Sequence, residues 1–449
     1  MKRDLLFRAF RSYMRFVHDS LYYRNVDIIG RENVPEYGTP TLVVANHQSA
    51  LSDPIGLHFA FHKEKVTIFA RGDIFNNPKL GRFFRWIGLL PAYRLRVDGE
   101  ENLDRNYGAF EEAGDRLLDG GIVAIFPEAV NQDKHWLGEW SQGYLRMAFE
   151  AAESDGFKTD IKVLPAAVHY SHYFSARKDL VIKFGEPMSL MPYYERYKSK
   201  PRTVWREVNA EMRRRVGEMM LNITDLENYD AIDYIRETYG VRYARKRGAN
   251  PRSLPERLIT DKELCRGLEQ NSDELKDVYA EALALKEFTK REKLKDWVFD
   301  YHWLWWRAMC GVLFLLVMLP LYLFALIPHI LIFYAPQPLV KKFDAKGNEF
   351  TAYTMFVSGI RYVVSALFSI PICYGAVFVV DWCLMNFWVA LLHVMMLPVL
   401  GRFAWYYRLY FIKLRGVFRY RRGLKRDGEY SEWKERRSRL FDKLEKISF

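Results

Sequence analysis

Between residues 36 and 190, short apolar runs alternate with longer segments whose apolar residues recur at helical spacing. The short runs are typical of strands buried in a sheet, and the longer segments are typical of helices packed against it. This alternation predicts an α/β domain with a mixed, partly parallel sheet flanked by helices. Strands are predicted at 41–45, 66–70, 121–126, 163–169 and 180–184, and helices near 54–62, 78–87, 103–118 and 141–154.

The apolar pattern changes in the last third of the chain, where two long runs lack almost all charge. Residues 309–334 contain no Asp, Glu, Lys or Arg, and Asp381 is the one charged residue in 363–400. Because a spanning helix needs roughly 20 apolar residues, the second run is long enough for two helices joined near Asp381. Pro320 interrupts the first run, which fits a re-entrant segment or a full span. A C-terminal helical membrane domain is therefore predicted over 301–410.

Basic residues flank both apolar runs and bear on their topology. If all of them face the cytoplasm, both runs enter and leave the membrane on the same side. This favours a re-entrant first segment followed by a helical hairpin; three full spans and a buried soluble helical core are the alternatives. Asp381 is expected at the exposed tip of the hairpin, because a carboxylate at mid-bilayer is costly. The basic residues are Arg307 before the first run, Lys341, Lys342 and Arg361 between the runs, and Arg402, Arg408, Lys413 and Arg415 after the second.

Three charged segments surround these two domains. Residues 1–30 predict a basic amphipathic helix, because apolar residues from Leu6 to Val17 recur at helical spacing. Positive charges interrupt any apolar core of a signal peptide. This helix would lie in a membrane interface or pack on the following domain. Residues 201–300 predict a charged helical connector with a break at 248–255, and a regulatory or partner-binding arm is the alternative. Residues 411–449 predict a basic cytoplasmic tail.

The overall charge narrows the choice of partners. Lys and Arg outnumber Asp and Glu by 67 to 55, which gives a formal net charge of +12. Such an excess indicates nucleic acid or an anionic membrane surface as the partner. No zinc-finger spacing or RNA-binding signature occurs, and the long apolar runs favour the membrane, so no nucleic acid partner is predicted. The four cysteines form no C-x-x-C pattern, which favours buried thiols in a reducing compartment over disulfides or a metal site.

The segment from Asn46 to Pro54 directly follows the predicted strand 41–45 and contains His47 and Asp53. A His paired with a carboxylate is the general-base half of a Ser-His-Asp triad. The pair lacks the serine of such a triad, so the nucleophile must come from elsewhere. A substrate hydroxyl is the obvious candidate, and transfer of a group onto an alcohol is predicted. The i, i+6 spacing separates the side chains around a helix, so the backbone must turn for them to meet. A structural hydrogen bond or a helix N-cap is the alternative interpretation.

Further motifs follow in the chain. Gly88 and Pro91 are turn-forming residues before Arg94, whose guanidinium can hold a phosphate through two parallel hydrogen bonds. Glu128 follows Pro127 directly after a predicted strand, so it lies at a strand end as His47 does. Taken alone, Arg94 is an ordinary surface arginine and Glu128 an ordinary helix cap.

Together, the blocks NHQSALSDP, GLLPAYR, FPE and VLPA resemble the motifs of the glycerolipid acyltransferase superfamily, in the family's order. That superfamily includes glycerol-3-phosphate, lysophosphatidic acid and lysophospholipid acyltransferases. The segments ENLDRNYGAF, SQGYLRMAFEAA and VIKFGEPM, and the C-terminal membrane part, resemble a bacterial membrane-bound branch. The resemblance covers most of the chain, with its motifs in 41–190, and it implies an acyltransferase domain over 31–200.

The resemblance implies a role for each matching residue. His47 would be the general base that takes the proton of the acceptor hydroxyl as its oxygen attacks an acyl thioester, and Asp53 would orient the imidazole. Arg94 would bind the acceptor phosphate, with Arg71 as a further candidate. Glu128 would contact an acceptor hydroxyl or brace Arg94. The remaining substrate-site residues of the same motifs are Gly88, Pro91 and Pro127.

The resemblance also implies partners and a location. The donor would be acyl-CoA or acyl carrier protein as a co-substrate, with no metal and no redox cofactor. The acceptor would be a lyso-lipid or glycerol-phosphate compound among the membrane lipids. The expected location is a bacterial inner membrane, with the catalytic domain facing the cytoplasm. An acyltransferase for an unusual lyso-lipid, such as an amino-acid-derived one, and a non-catalytic membrane adaptor are the alternative functions.

The sequence departs from the family's pattern at two places. The commonest form of the first motif has one residue fewer between His47 and Asp53, although related acyltransferases use the longer form. The third motif usually continues with Gly, whereas Ala129 follows Glu128 here. A side chain at this position is expected to narrow the acceptor pocket or to alter its backbone. The identity of the acceptor therefore stays open at this point.

Overall fold

The chain divides into two compact units in a computed structural model that describes residues 5–61, 64–93, 104–128, 134–173, 175–301, 304–335, 356–426 and 428–447. The first unit contains the described residues of Met1–Asn222 and Val340–Tyr362. The second contains those of Ile223–Leu339 and Val363–Phe449. The first unit therefore extends beyond residue 200, where the acyltransferase domain was predicted to end.

Eight strands among the described residues form one sheet in the first unit. They are β1 (Asn25–Ile29), β2 (Thr41–Ala45), β3 (Val66–Arg71), β4 (Leu89–Ala92), β5 (Ile122–Ile125), β6 (Lys162–Tyr170), β7 (Asp179–Phe184) and β8 (Met188–Ser189). The order is β1-β7-β6-β2-β5-β3-β4, and β8 pairs with β6. Strands β6, β2, β5, β3 and β4 run parallel, whereas β7 and β8 are antiparallel to β6.

Helices of the first unit flank this sheet on both faces. They are α1 (Leu5–Phe16), α2 (Ser52–Ala60), α3 (Pro78–Trp86), α4 (Asp104–Leu118), α5 (Gly143–Ser154), α6 (Tyr194–Ser199) and α7 (Pro201–Met219). Helix α2 lies on one face, where Gly56 approaches Leu180 and Ile182 of β7. Leu42 and Val44 point to the other face and are buried in one cluster with residues of α4, α5 and α7. Strand alternation thus gives a sheet with apolar side chains on both faces.

The predicted fold class, a mixed, partly parallel sheet with flanking helices, is confirmed, and most of the strand pairs are parallel. The predicted strand 41–45 coincides with β2, and the other predicted strands correspond to β3, β5, β6 and β7. Strands β1, β4 and the two-residue β8 were not predicted, and β1 and β4 lie at the edges of the sheet. β4 contains Pro91, which lacks a backbone N–H, and an edge strand tolerates this because one side of its backbone needs no partner.

Helix α1 packs on the first unit through its aromatic residues and leaves other apolar residues exposed. The ring of Phe7 lies 5.7 Å from that of Trp86, and Arg11 donates a hydrogen bond of 3.1 Å to the carbonyl oxygen of His58. On another side of the helix, Leu5 is 76% exposed and Leu6 is 69% exposed. The helix therefore has a packed face and an exposed apolar stripe, and its predicted place in a membrane interface stays a prediction.

The second unit is helical among its described residues. Its helices are α8 (Tyr229–Thr238), α9 (Gly240–Lys246), α10 (Leu254–Gln270), α11 (Lys276–Arg291), α12 (Trp305–Leu326), α13 (Ile330–Tyr334), α15 (Ile370–Leu384), α16 (Phe387–Arg426) and α17 (Glu429–Lys446). Helix α14 (Phe356–Val364), which precedes α15 in the chain, belongs mainly to the first unit. Helix α10 begins after a break in which Ser253 caps it by accepting a bond from the backbone N–H of Glu256.

Helix α14 starts inside the first unit and contacts its N-terminal segment. The hydroxyl of Tyr362 donates a 2.8 Å hydrogen bond to the carbonyl oxygen of Met14, and that of Tyr22 donates to the carbonyl oxygen of Ser358 at 2.6 Å. A Cβ atom at Gly359 would lie 2.5 Å from the Cβ atom of Leu51. The first turns of α14 therefore lie directly against the loop between His47 and Asp53.

Three helices in the described part of the chain are long and apolar enough to cross a membrane. They are Trp305–Tyr334, Val357–Leu384 and Phe387–Arg426, of 30, 28 and 40 residues. This supports association with a membrane, as the apolar runs predicted. The choice between a re-entrant first segment and three full spans stays a prediction, because length and composition do not fix the path of a helix.

Polar contacts connect these apolar helices to one another. The hydroxyl of Tyr407 donates to the carbonyl oxygen of Leu315 at 2.7 Å. Asp381 Oδ2 lies 2.6 Å from Nδ1 of His393. Asp381 is in the last turn of α15, one turn before the connection to α16, so it is not at the tip itself. Pairing with His393 satisfies a carboxylate on a helix that would otherwise be apolar.

The predicted basic tail is helical and packed in the second unit. Helix α16 continues past residue 410 to Arg426, and α17 follows. In α17, the guanidinium of Arg437 donates to Asp296 and to Asp300, at 2.6 and 2.7 Å from one of its nitrogens. These contacts tie the tail to the segment that precedes the first apolar helix.

We predict that Gly88→Ala destabilises the first unit. Gly88 has a φ of +97°, and an added Cβ atom would lie 2.7 Å from the carbonyl oxygen of Val66. The expected loss is roughly 1–3 kcal/mol of unfolding free energy. The matched control is Gly108→Ala in α4, where an added Cβ meets no atom within 4 Å. This control should gain about 0.5–1 kcal/mol, since Gly is poor in a helix interior. Equal melting temperatures for the two variants would contradict the prediction.

Candidate active site

Several functional side chains lie at one edge of the sheet because the central strands run parallel. His47 follows β2 and Glu128 follows β5, while Tyr170 ends β6. The carboxyl ends of parallel strands meet at the same edge, which is where open α/β sheets bind their ligands. The isolated bridge between Glu128 and Trp140 lies just beyond β5 at this edge.

Asn46 fixes the point at which the chain leaves the sheet. Its side-chain amide donates to the carbonyl oxygen of Val168 at 3.0 Å and accepts from the N–H of Val168 at 2.7 Å. This side chain thereby continues the β2–β6 pairing by one step after the backbone of β2 has ended. The position of the next residue, His47, is set by this anchor.

His47 and Asp53 meet through a hydrogen bond. Nδ1 of His47 lies 3.0 Å from Oδ2 of Asp53, which is in the first turn of α2. The same Oδ2 accepts the backbone N–H groups of Gln48 and Ser49, at 2.8 and 2.7 Å. The loop therefore winds around the carboxylate, which is the turn that the i, i+6 spacing required. The extra residue of the longer motif is accommodated within this loop.

The carboxylate of Asp53 is removed from water and satisfied by hydrogen bonds. The residue is 0% exposed. In addition to the donors on Oδ2, the hydroxyl of Tyr170 donates to Oδ1 at 2.8 Å. Burial of a charge without such partners would be strongly unfavourable, and hydrogen bonds to a carboxylate are among the stronger ones in proteins. The structure thus supplies a partner for each of its two oxygens.

The imidazole of His47 is held between Asp53 and an aromatic ring. The ring of Phe126 stacks on it, with centroids 4.5 Å apart and an angle of 27° between the planes. The His47 side chain is 12% exposed. A carboxylate on Nδ1 favours the tautomer that carries its proton there. Nε2 is then the nitrogen with a lone pair, and it can accept a proton from a bound hydroxyl.

Glu128 braces the backbone of His47. Its Oε1 accepts the N–H of His47 at 2.7 Å, and its Oε2 accepts the N–H of Gly138 at 3.1 Å. The residue is 3% exposed, and this burial raises the pKa of its carboxyl to about 7, against the two backbone hydrogen bonds that lower it. The predicted contacts of Glu128 with an acceptor hydroxyl or with Arg94 stay predictions, and the contact with His47 is an addition to them.

The backbone N–H groups next to the imidazole are already committed to carboxylates. Those of Gln48 and Ser49 donate to Asp53, and that of His47 donates to Glu128. These three amides are therefore not available as donors to an oxyanion unless their bonds to the carboxylates break. A donor to such an oxyanion would have to come from another residue, or from an arrangement of the loop that forms only when substrate is bound.

Of the two predicted phosphate-binding residues, the structure describes Arg71 but not Arg94. Arg71 ends β3 at the same edge of the sheet, and its guanidinium pairs with Asp73 at 2.7 Å. The Arg71 side chain is exposed, so it is accessible to a ligand that competes with this carboxylate. Arg94, and also Ala129 of the third motif, lie outside the described residues. The substrate roles of both arginines stay predictions.

Three predicted substrate-site residues, Gly88, Pro91 and Pro127, lie in or next to strands of the sheet or beside Glu128. Gly88 lies in the turn before β4, and its positive φ explains the glycine. Pro91 is buried within β4, opposite Ala70 of β3. Pro127 is buried before Glu128, and its carbonyl oxygen accepts the N–H of Ser141 at 3.0 Å. These positions shape the edge of the sheet, and direct contact with a substrate stays a prediction.

Sequence reasoning missed three residues around the Asp53 carboxylate and its loop. Tyr170 and Lys178 lie behind the carboxylate, and Tyr173 donates to Oε1 of Gln48 at 2.6 Å. Tyr170 directly follows the predicted strand 163–169, so its place at a strand end was a usable signal. Lys178 and Tyr173 lie in the connection between β6 and β7, and no pattern in the sequence connects them with residues 46–53.

Comparison with known proteins identifies the class of the domain. Residues 25–169 match the family model described as Acyltransferase. This range begins at β1 and ends within β6, so it includes both His47 and Glu128. Residues 25–169 therefore form an acyltransferase domain, as the resemblance of its motifs predicted.

Two curated proteins are similar to the same part of the chain. An uncharacterized acyltransferase of Schizosaccharomyces pombe is 29% identical over 142 residues, which are 30% of this chain and 20% of that protein. A probable 1-acyl-sn-glycerol-3-phosphate acyltransferase of Mycoplasma pneumoniae is 29% identical over 148 residues, which are 32% of this chain and 52% of that protein. The matches thus cover about half or less of each relative.

We predict that Glu128 makes the stability of the first unit depend on pH. Its pKa of about 7 in the folded state lies above the ordinary 4.5, so the folded state binds more protons between these two values. The unfolding free energy should therefore fall as pH rises through this window, by up to roughly 3 kcal/mol. Glu128→Gln carries no titrating proton and should lack this part of the decrease.

The measurement is the melting temperature of both proteins from about pH 5 to about pH 8. The control is Glu36→Gln, which changes an exposed glutamate of the same unit and should follow the wild type. A Glu128→Gln curve parallel to the wild-type curve would show that Glu128 does not titrate in this range.

Proposed function

We propose that the protein is a membrane-bound O-acyltransferase of phospholipid synthesis or remodelling. It would transfer a fatty acyl group from an acyl thioester to a hydroxyl of a glycerol-phosphate or lysophospholipid acceptor. The observation that carries this proposal is the 3.0 Å contact between Nδ1 of His47 and Asp53, inside a domain that matches the acyltransferase family. Among the described residues, no hydroxyl or thiol side chain is bonded to His47, and this suits attack by the hydroxyl of a substrate.

The proposed reaction uses His47 first as a base and then as an acid. Nε2 takes the proton of the acceptor hydroxyl while the hydroxyl oxygen forms a bond to the thioester carbonyl carbon. Asp53 stabilises the imidazolium through its hydrogen bond to Nδ1. The carbon–sulfur bond then breaks, and the thiolate leaves with the proton from Nε2. An ester and a free thiol result, and His47 returns to its neutral form.

The proposed acceptor is a 1-acylglycerol-3-phosphate. Support comes from the relative of Mycoplasma pneumoniae, which is named a probable 1-acyl-sn-glycerol-3-phosphate acyltransferase. Arg94 and Arg71 are the proposed phosphate ligands, since guanidinium groups match the geometry of phosphate oxygens. The proposed donors are acyl-CoA and acyl carrier protein, and both present the same thioester to His47.

We place this reaction at a bacterial inner membrane, with the acyltransferase domain facing the cytoplasm. Three helices with the length and composition of membrane spans support membrane association. The exposed Leu5 and Leu6 of α1 add an apolar surface that suits the interfacial region of a bilayer. The basic residues that flank the apolar runs support the cytoplasmic side.

We predict that His47→Ala and Asp53→Asn lower acyl transfer by different mechanisms. His47→Ala removes the base and should reduce kcat by roughly 10²- to 10⁴-fold. Asp53→Asn can keep an oxygen for the N–H groups of Gln48 and Ser49, yet it changes the imidazole tautomer. Its kcat should fall by up to roughly 10⁴-fold. The assay follows transfer of a labelled acyl chain by purified protein in detergent or vesicles.

Melting temperature and recovery in the membrane fraction are the controls for both variants. His172→Ala is a matched control, because it removes an exposed imidazole of the same unit and should retain transfer. If His47→Ala protein is folded and transfers at the wild-type rate, the proposed mechanism is wrong.

We predict that an acceptor panel will single out 1-acylglycerol-3-phosphate. The panel contains this compound, glycerol 3-phosphate, lysophospholipids with larger headgroups, and an amino-acid-derived lyso-lipid. Each acceptor is offered with labelled acyl-CoA and separately with acyl carrier protein, and kcat/KM is compared. Preference for the amino-acid-derived lipid would redirect the function to that class. Absence of transfer to every acceptor, with folded protein, would favour a membrane adaptor without catalytic activity.

A further inference from the structure

The second oxygen of the Asp53 carboxylate is held by a residue distant in the chain. Tyr170 donates to Oδ1 of Asp53 at 2.8 Å, across 117 positions of sequence. Both side chains are buried. Burial, and the charge of Asp53, raise the pKa of the Tyr170 phenol well above its ordinary value. The phenol therefore stays protonated, and its O–H group donates a hydrogen bond to Oδ1 of Asp53.

Lys178 lies over the face of the Tyr170 ring. Its Nζ is 4.2 Å from the ring centroid and donates to the carbonyl oxygen of Tyr173 at 2.8 Å. The side chain is buried, and this burial lowers the pKa of its ammonium group to about 7, although the charge of Asp53 acts to raise it. A buried cation over an aromatic face is held there by the ring quadrupole.

The surroundings of Lys178 contain other groups that bear on its charge. Its Nζ is 5.6 Å from the ring centroid of Tyr23, which stacks on Tyr170 with centroids 6.2 Å apart. His18 lies beside Tyr23, and its burial lowers the pKa of its imidazole. The charge of Lys178 adds to this decrease. Asp53 is therefore the carboxylate whose negative charge stabilises the ammonium of Lys178 in this buried region.

We propose that Tyr170 is a positioning residue for the His47–Asp53 pair, and that Lys178 fixes the Tyr170 ring. This inference rests on the proposed function, because it gives the contacts of Tyr170 and Lys178 a role in the same acyl transfer. Without the bond from Tyr170, the Asp53 carboxylate would be held through Oδ2 alone, and it could turn about its Cβ–Cγ bond. With Oδ1 held by Tyr170 as well, Oδ2 stays directed at Nδ1 of His47, and the imidazole keeps the tautomer in which Nε2 accepts a proton.

Tyr170→Phe tests the proposal with the smallest possible change. The ring still fills the same buried space, and only the hydroxyl that holds Oδ1 is lost. We expect kcat to fall roughly 10-fold, since a hydrogen bond to a charged group is removed, while the KM values for donor and acceptor stay the same. The matched control is Tyr144→Phe, which removes a buried hydroxyl bonded to Asn209 at 3.0 Å. This control should keep the wild-type kcat.

Lys178→Met tests whether the lysine acts through Tyr170. We expect a smaller decrease in kcat than for Tyr170→Phe, because the hydroxyl is still present. Combining Lys178→Met with Tyr170→Phe should add little to the loss in Tyr170→Phe alone, as for residues that act in one series. Full additivity of the two losses would mean that Lys178 acts by another route, and this part of the proposal would be wrong.

A second measurement reports on His47 without any acyl transfer. Diethyl pyrocarbonate modifies unprotonated imidazole nitrogen, and mass spectrometry follows the His47 peptide. Tyr170→Phe should slow this modification several-fold, roughly in step with kcat, whereas Tyr144→Phe should not. Unchanged modification in Tyr170→Phe would overturn the inference. Slowed modification in a protein that transfers no acyl group would support the positioning role and contradict the proposed function.

Discussion

The burial of one carboxylate organises the acyltransferase domain. Asp53 is 0% exposed, so each of its oxygens needs a donor from the protein. Three of these donors, namely two amides and the imidazole of His47, come from the loop that precedes Asp53, and one comes from the end of β6. The site therefore forms only when β2 lies beside β6 and α2 begins where the loop ends. A single electrostatic requirement thus connects the sheet order, the loop and the position of the His47 imidazole.

The sequence was most informative where burial leaves a continuous pattern. The buried apolar run of β2 predicted its own bounds and placed His47 at a strand end. β4 was missed because four residues with a proline give no such pattern, and β1 is a short edge strand. The contact of Asp53 with Tyr170 was not predictable, since it depends on β6 pairing with β2 and spans 117 positions. The contact of Glu128 with the N–H of His47 has the same cause, because it requires β5 on the other side of β2.

In the C-terminal part, composition predicted where apolar helices occur but not which groups pair. The absence of charge marks the helices because lipid excludes it, so the pattern is nearly independent of tertiary structure. Partners are different: the pairing of Asp381 with His393 depends on how α15 and α16 face each other. The charged tail gave no sign of its packing, since the bond from Arg437 to Asp296 joins segments that look equally solvated in sequence.

The commitment of three loop amides to carboxylates has a consequence for the design of inhibitors. The N–H groups of His47, Gln48 and Ser49 are fully used in holding Glu128 and Asp53. A compound that mimics the oxyanion would have to displace one of these internal bonds to gain a donor from the loop. A compound that instead offers a hydroxyl or amide proton to Nε2 of His47 would meet an acceptor without disturbing the protein. On the proposed mechanism, ligands that bind at this loop are therefore expected to be neutral hydrogen-bond donors toward Nε2 of His47.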